Sequence, residues 1–476
     1  MKTAVVALGV VVAACAAYLG TAVVGGQKVE KHLRAASASA QAQWPMIRIT
    51  DEKYDRGLFA ATHTFTVRGA CEPADAGASA PAAITIVQHI KHGPFPGLAG
   101  FGAATVDTEL ALDAASRQDA IKLFGTDHPF TAHTDVAFSG ASRTHFSIVR
   151  FHTAGPQGEQ VDFGGLTGDL DNSDNALEYD VRLPAFSIAD AASAPAALHV
   201  GLKGMHVHAR AEGSGDLMQR PGKSQGELES MEFAMAAPDT GAAHKIGFSQ
   251  VKFAQDTTID KNLMSATARV DGVGQIDDTR LDRIELVSTM KRFDAATYQG
   301  LVRKIVGTDG QCGKKPDPAK LMASQDVQAA VLQMLAANPE VSIDKLVVQV
   351  GNDHAELAYA IGVDGFTAND AKLPLMASLM TRGYGNLKVK LPEQWVQKSM
   401  NYIAQQSGQA SGASNQAAMV DLMLGKVIDQ GYVVREEGML RSEMAFKAGH
   451  ATINGKPVGR PAAPPADGAP AAAASM

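Results

Sequence analysis

Between positions 46 and 290 the chain alternates apolar and polar residues with period two, one segment after another. Thr62–Val67, Ala83–Ile90, Val106–Leu112, Thr144–His152 and Leu177–Leu183 read this way, followed by Leu198–His208, Gly226–Ala236, Lys245–Phe253, Leu263–Val270 and Leu281–Met290. On a strand, successive side chains point to opposite faces, so Met231, Phe233 and Met235 share one face and Glu232 takes the other. Gly, Asp, Asn and Pro punctuate these segments at the spacing of turns. Helical patterns scarcely interrupt them, which predicts antiparallel sheet rather than alternating β/α units. A long sheet with one apolar face must bury it against another layer or against something bound.

The second half is mixed. Helices are expected over Asp294–Val306, Pro318–Ala337, Glu393–Gln405 and Asn415–Gln430, and a hairpin around Gly351-Asn352-Asp353, with strand returning over Tyr432–Val434, Met439–Phe446 and Ala451–Ile453. The fold class is therefore α+β, predominantly antiparallel β. The expected organisation is an N-terminal transmembrane anchor (1–26), a helical stalk (27–45), a β-rich domain (46–292), a mixed domain (293–456) and a disordered Pro/Ala tail (457–476). A chain of 476 residues exceeds one ordinary core, in keeping with more than one domain.

The anchor rests on Thr3–Val24, which holds no charged residue. As a helix its 22 residues would span roughly 33 Å at about 1.5 Å each, against about 30 Å of bilayer hydrocarbon. Three readings compete: an uncleaved signal anchor, a cleaved signal peptide, and a lipoprotein signal with a lipobox at Val12-Ala13-Ala14-Cys15. The anchor reading leads, because the run is longer than a secretory core and stays apolar beyond Cys15. Lys2 precedes the run while Lys28, Lys31 and Arg34 follow it, so charge alone does not orient it. The other two cysteines, Cys71 and Cys312, lie in Gly/Pro-flanked contexts; they form one disulfide only if the fold brings their Cα atoms within reach, and otherwise remain two thiols.

Tyr54-Asp55-Arg56-Gly57-Leu58-Phe59, some thirty residues beyond the apolar run, resembles the opening signature of the YdgA family of bacterial envelope proteins. His92-Gly93-Pro94, Phe163-Gly164-Gly165 and Ile453-Asn454-Gly455-Lys456-Pro457 agree with it in order. The resemblance implies one N-terminal span and a β-rich domain on the periplasmic side of the inner membrane. The family is largely uncharacterised, so it carries over no catalytic residues. On physical grounds Gly57 permits a tight or bulged backbone, Tyr54 and Phe59 dock into the sheet core, and Arg56 pairs with a carboxylate. These motif residues read as structural.

Histidine comes nearest to chemistry. There are 14, with His89 and His92 three apart and His206 and His208 two apart, the latter pair on one strand face within reach of a common metal. No further ligands are marked, and solvated or hydrogen-bonded strand histidines are the better reading. Asp169-Leu170-Asp171-Asn172-Ser173-Asp174 has the acidic spacing of a calcium loop but Asp174 where glycine is required, which favours an acidic hairpin turn. Nucleophile-elbow, zinc-protease and phosphate-loop motifs are absent, and no cofactor is implied. The net charge of −7, without a basic stripe, argues against nucleic acid as a partner.

The leading expectation is a non-enzymatic envelope protein, held in the inner membrane by Thr3–Val24, that binds an apolar ligand such as lipid, or another envelope protein. The rivals are a self-associating module that dimerises through exposed sheet edges and an envelope hydrolase with a dispersed site.

Overall fold

The computed structural model describes residues 47–458 except 58, 70–82, 93–94, 97–100, 156–157, 174, 191–196, 214–219, 237–242, 307–317, 397, 400–421 and 423, together with 37, 38 and 41. Thr3–Val24, Gly93, Pro94, Cys71 and Cys312 lie outside the described residues, as does most of the stalk and the tail. Among the described residues no helix is long and apolar enough to cross a membrane.

The chain divides into two compact units between Ala337 and Asn338. The first is an antiparallel meander. Its strands are β1 (Ile47–Arg56), β2 (Ala60–Gly69), β3 (Ala83–His92), β4 (Ala104–Ala111), β5 (Phe130–Val136), β6 (Ser142–Ile148), β7 (Phe151–Ala154), β8 (Gln160–Phe163) and β9 (Leu166–Ser173). Longer ones follow: β10 (Ala176–Ala189), β11 (Leu198–Glu212), β12 (Gly222–Ala236), β13 (Ala243–Asp260), β14 (Leu263–Ile276) and β15 (Thr279–Asp294). Neighbours in sequence pair antiparallel from β1 to β6; β6 then pairs with β9, and the meander resumes to β15. The β7–β8 hairpin pairs with the second half of β10.

Helix α1 (Ala114–Phe124) crosses from β4 to β5. Asp113 caps it by accepting from the Ser116 N–H at 2.7 Å, and Gly125 closes it at φ +73°. Ala120 of this helix is buried and Leu123 and Phe124 pack on the core, an apolar face confined to its last turn. Helices α2 (Ala295–Val306), α3 (Pro318–Ala323) and α4 (Gln325–Ala336) follow β15. Tyr298 of α2 and Met334 of α4 pack on Met264 and Phe293 at the ends of β14 and β15, which ties these two helices to the first unit. The single helix expected over Pro318–Ala337 is broken at Ser324, whose hydroxyl accepts from the Val327 N–H at 3.3 Å and starts α4 afresh. Likewise the strand expected over Thr144–His152 is two, separated at Val149 and Arg150.

The core follows from the alternation. In β5, Phe130, Ala132, Thr134 and Val136 are buried while Thr131, His133 and Asp135 are exposed. One apolar cluster gathers Phe65, Ile86, Phe130, Phe146, Phe151 and Phe163; a second gathers Ala61, Ile90, Ala104, Val106 and Val136. Buried polar residues lie on the same face. The His63 ring meets Gln88 Oε1 at 2.9 Å and Glu52 Oε1 at 3.0 Å, and the Gln88 amide donates to Thr108 at 3.4 Å. Thr134 and Thr144 share a hydrogen bond of 2.9 Å, so these buried hydroxyls and amides are paired.

The second unit pairs β16 (Glu340–Val350), β17 (Asp353–Val363), β18 (Gly383–Pro392) and β20 (Met439–Lys447) antiparallel. The three-residue β19 (Val434–Glu436) and the hairpin β21 (His450–Ile453) with β22 (Lys456–Val458) complete it. Gly351 at φ +58° makes the β16–β17 turn expected from the sequence. Helix α5 (Leu375–Arg382) is fixed by the buried Asp370, whose carboxylate accepts from the Thr367 N–H at 2.8 Å and from Arg382 Nε at 3.0 Å. Those bonds, the Thr367 hydroxyl first, hold the Asp370 carboxyl below its ordinary pKa.

Candidate functional site

Cross-strand register defines a single apolar surface on the inner face of the first unit. One row runs Phe151, Phe163, Phe186, Leu202, Met231, Phe248, Gly274, Leu281 from β7 to β15. The next runs Val161, Ile188, Val200, Phe233, Ile246, Ile276. Leu198 and Met235 extend it by one further pair.

Exposure rises along the second row, whereas the first peaks at Met231 and falls again through Phe248 to the buried Gly274. Phe151, Val161 and Phe163 are buried in the core cluster with Phe65 and Ile86. Phe186, Ile188, Val200 and Leu202 are intermediate. Met231, Phe233, Met235, Ile246 and Ile276 are 37%, 38%, 46%, 40% and 48% exposed. From β8 to β14 the surface crosses five strand spacings, about 24 Å at roughly 4.8 Å each. That exceeds the ~15 Å depth of one leaflet's acyl chains, half of a hydrocarbon core of about 30 Å.

The face is apolar because the strands alternate. The β10–β11 ladder skips Pro184 and Gly204 (φ +62°) without a shift of register, and β13 takes up a one-residue bulge between Ser249 and Lys252, where Gln250 has φ +53°. A Cβ at Gly204 would lie 2.7 Å from the Glu229 Cβ, so glycine is required there. On this face burial pushes the Tyr179 phenol above its ordinary pKa. No ion pair is formed by the Met, Phe and Ile side chains that compose the patch, so its recognition capacity is apolar contact and shape.

The opposite face is polar. One transverse row reads His89, Asp107, His133, His145, Asp169, Asp180, His208. Its histidines meet carboxylates: His133 to Asp107 at 2.6 Å and His145 to Asp169 at 3.0 Å. The hydrogen bond from Asp107 raises the His133 pKa. His206 meets Asp180 at 2.7 Å, while His208 lies 3.8 Å from the same carboxylate. The two histidines thus share a face as the spacing predicts, and their partners are carboxylates; among the described residues no group of three or more His, Cys, Asp or Glu is arranged to hold a metal ion. His89 and His92 do not converge: His89 meets Glu109 on the polar face at 3.3 Å, and His92 lies on the other face, half-buried. The acidic stretch at Asp169 is strand β9, with Asp169 and Asp171 paired to His145 and Arg143.

The described motif residues take the following positions, with two corrections, at Phe59 and Arg56. Gly57 makes the tight turn between β1 and β2: its N–H donates to the Ala60 carbonyl at 2.7 Å, and a Cβ there would meet the same oxygen. Tyr54 packs against the Ala61–Ile90–Val106 cluster. Phe59, expected in the core, is 71% exposed, because the tight turn at Gly57 leaves it beyond the end of the sheet. Arg56 is exposed at the end of β1, and among the described residues it forms no ion pair. In Phe163-Gly164-Gly165 the phenylalanine is core, the Gly164 N–H donates to Ala185 at 2.8 Å, and Gly165 turns at φ +90°. Asn454 and Gly455, at φ +48° and +78°, form the two-residue β21–β22 turn. The motif therefore records backbone geometry. The exposed patch was legible only in part: Met231, Phe233 and Met235 signal a shared face, but Ile246 and Ile276 join them only through register.

No curated protein and no solved structure matches the chain. The model of one family, described as bacterial protein of unknown function (DUF945), matches residues 1–460. YdgA is another name for that family, so the match agrees with the resemblance carried by the motifs. The chain belongs to the DUF945 family of bacterial proteins of unknown function.

Proposed function

We propose that this chain is a binding protein of the bacterial envelope, anchored in the inner membrane through Thr3–Val24, whose open sheet face takes an apolar ligand of the lipid class. One observation carries the reading: a continuous apolar surface whose residues pass from buried Phe163 to exposed Phe233, Ile246 and Ile276 without a polar interruption in those rows. A solvated sheet face would alternate to polar residues, as the opposite face does. The role is binding rather than catalysis, and the apolar run supports the placement because it is long enough to span a bilayer.

The test is native mass spectrometry of the full chain with organic extraction of its bound material. Lipid should co-purify, and a diazirine-bearing fatty acid should label the region of Phe233 and Ile246. Protein that purifies free of lipid and takes no label there would overturn the reading. Alkaline phosphatase fused after Ala42 should be active; an inactive fusion would overturn the periplasmic placement.

A further inference from the structure

The polar face holds a recess that the apolar-ligand reading does not use. It measures about 870 Å³ and opens over β3, β4, β5, β6, β9, β10 and β11, with Phe101 and the turn around Ala137 as walls. Its floor is the charged row Lys91, Asp135, Arg143, Asp171, Glu178, Arg210. These charges are matched within the row or by its neighbours, Lys91 by Asp107 at 3.7 Å and Asp135 by His133 at 3.4 Å. Arg143 Nε meets Asp171 at 2.7 Å, and Arg210 Nη1 meets Glu178 at 3.1 Å. With Asp107 and His133 beside them, three cations and a histidine face four carboxylates. The recess therefore has no surplus charge of the size that would select an ion.

It does have unspent hydrogen-bonding capacity. Arg143 meets Asp171 through one nitrogen; Arg210 meets Glu178 through Nη1 and lies 3.9 Å from Glu212 through Nε, and His208 lies 3.7 Å from Glu178, while a guanidinium carries five N–H donors and a carboxylate about four acceptor sites. The cross-strand spacing sets these planar groups about 4.8 Å apart, so a ligand lying across the strands meets donors and acceptors in alternation. Phe101 lines the recess and leads at its edge into an aromatic cluster with Phe95 and Phe138. Phe101 is 76% exposed, with its centroid 5.0 Å from Phe138 and 5.7 Å from Phe95. Three exposed phenyl rings beside a fixed array of paired charges supply a flat apolar platform next to polar groups that satisfy hydroxyls.

We propose that this recess is a binding site for an uncharged oligosaccharide, whose hydroxyls engage Arg143, Asp171, Glu178 and Arg210 while the apolar face of a ring stacks on Phe101. A neutral polyhydroxylated chain matches all three features: balanced charge, alternating donors and acceptors, and an aromatic platform. An anionic ligand would face Asp135 and Glu178 without a compensating surplus of cations, and a lipid chain would desolvate the ion pairs. The site lies on the face opposite the apolar surface and stands independently of it.

The experiment titrates the full-length chain in detergent with the hexamers of N-acetylglucosamine, maltose-type glucan and cellulose-type glucan, read by isothermal titration calorimetry and saturation-transfer NMR. At least one hexamer should bind, and Phe101→Ala and Arg143→Ala should each weaken it by roughly tenfold or more. Both side chains are mostly exposed, so the fold is expected to survive, and circular dichroism checks it. Phe138→Ala provides a second rim variant. Co-purified lipid should be unchanged in all three. Failure of every hexamer to bind overturns the proposal, as does binding that Phe101→Ala and Arg143→Ala leave intact, or binding confined to an anionic polysaccharide such as heparin.

Discussion

Truncating Phe233 to alanine separates ligand binding from folding. Phe233 is 38% exposed at the centre of the open rows, flanked by Val200 and Ile246 in register. Taking about 200 Å² for a phenylalanine, the exposed portion is roughly 75 Å². Covering that area with an acyl chain yields about 2 kcal/mol at roughly 25 cal/mol per Å². Loss of the ring should therefore weaken affinity by up to about 25-fold, since about 1.4 kcal/mol is tenfold. The five exposed residues together would supply on the order of 10 kcal/mol gross, from which ordering and association costs are subtracted. The assay is titration of a fluorescent long-chain fatty acid into full-length chain held in amphipol. Phe233→Ala should lower affinity, and Phe233→Asp should abolish binding by placing a charge against the acyl chain. Glu232→Ala, on the opposite face of the same strand, should leave affinity unchanged. Equal affinities for Phe233→Ala and Glu232→Ala would refute the assignment of the face.

Other residues give further tests. Phe65 is fully buried, so Phe65→Ala should destabilise the first unit by about 3–5 kcal/mol, measured by denaturant midpoint. Gln88→Leu leaves His63 and Thr108 without their shared partner and should cost about 1–3 kcal/mol. Gly164→Ala drives a Cβ to 2.9 Å from the Ala185 backbone nitrogen and should cost about 1–3 kcal/mol through strand displacement. The His133–Asp107 bond raises the histidine pKa, so its contribution is complete below about pH 6.5 and fades as pH climbs through the raised folded value. NMR titration should place the His133 midpoint above the ordinary value, and Asp107→Asn should bring it down. Asp370 has the opposite sign: its lowered pKa means its contribution is present above about pH 3.9 and is lost as pH falls through the folded value. Acid unfolding of the second unit should therefore move to higher pH in Arg382→Ala.

The alternation made the sheet legible. Leu177–Leu183, Leu198–His208 and Gly226–Ala236 all lie inside observed strands, because half-buried strands write their two faces directly into the sequence. Strand β5 was missed: its inner residues include Ala132 and Thr134, which carry little hydrophobic signal, and only burial identifies them. Helix α1 was missed because its core-facing residues, Ala120, Leu123 and Phe124, are confined to the last turn and make too short a stripe to read.

By itself, then, the sequence determined which residues share a strand face and that the fold is predominantly antiparallel β, since period two is a local property of the backbone. It also marked the glycine at 57, because tight turns constrain φ within a few residues. Only the tertiary structure decided which part of the apolar face is covered. Phe163 and Phe233 occupy equivalent alternating positions in their own strands, yet one is buried and the other is not. Burial depends on which distant strands, helices and hairpins lie over a residue, and the register that aligns Ile246 and Ile276 with Phe233 is set by pairing across strands. The same holds for the polar face, where residues from Lys91 to Arg210 meet across strands that no local pattern connects.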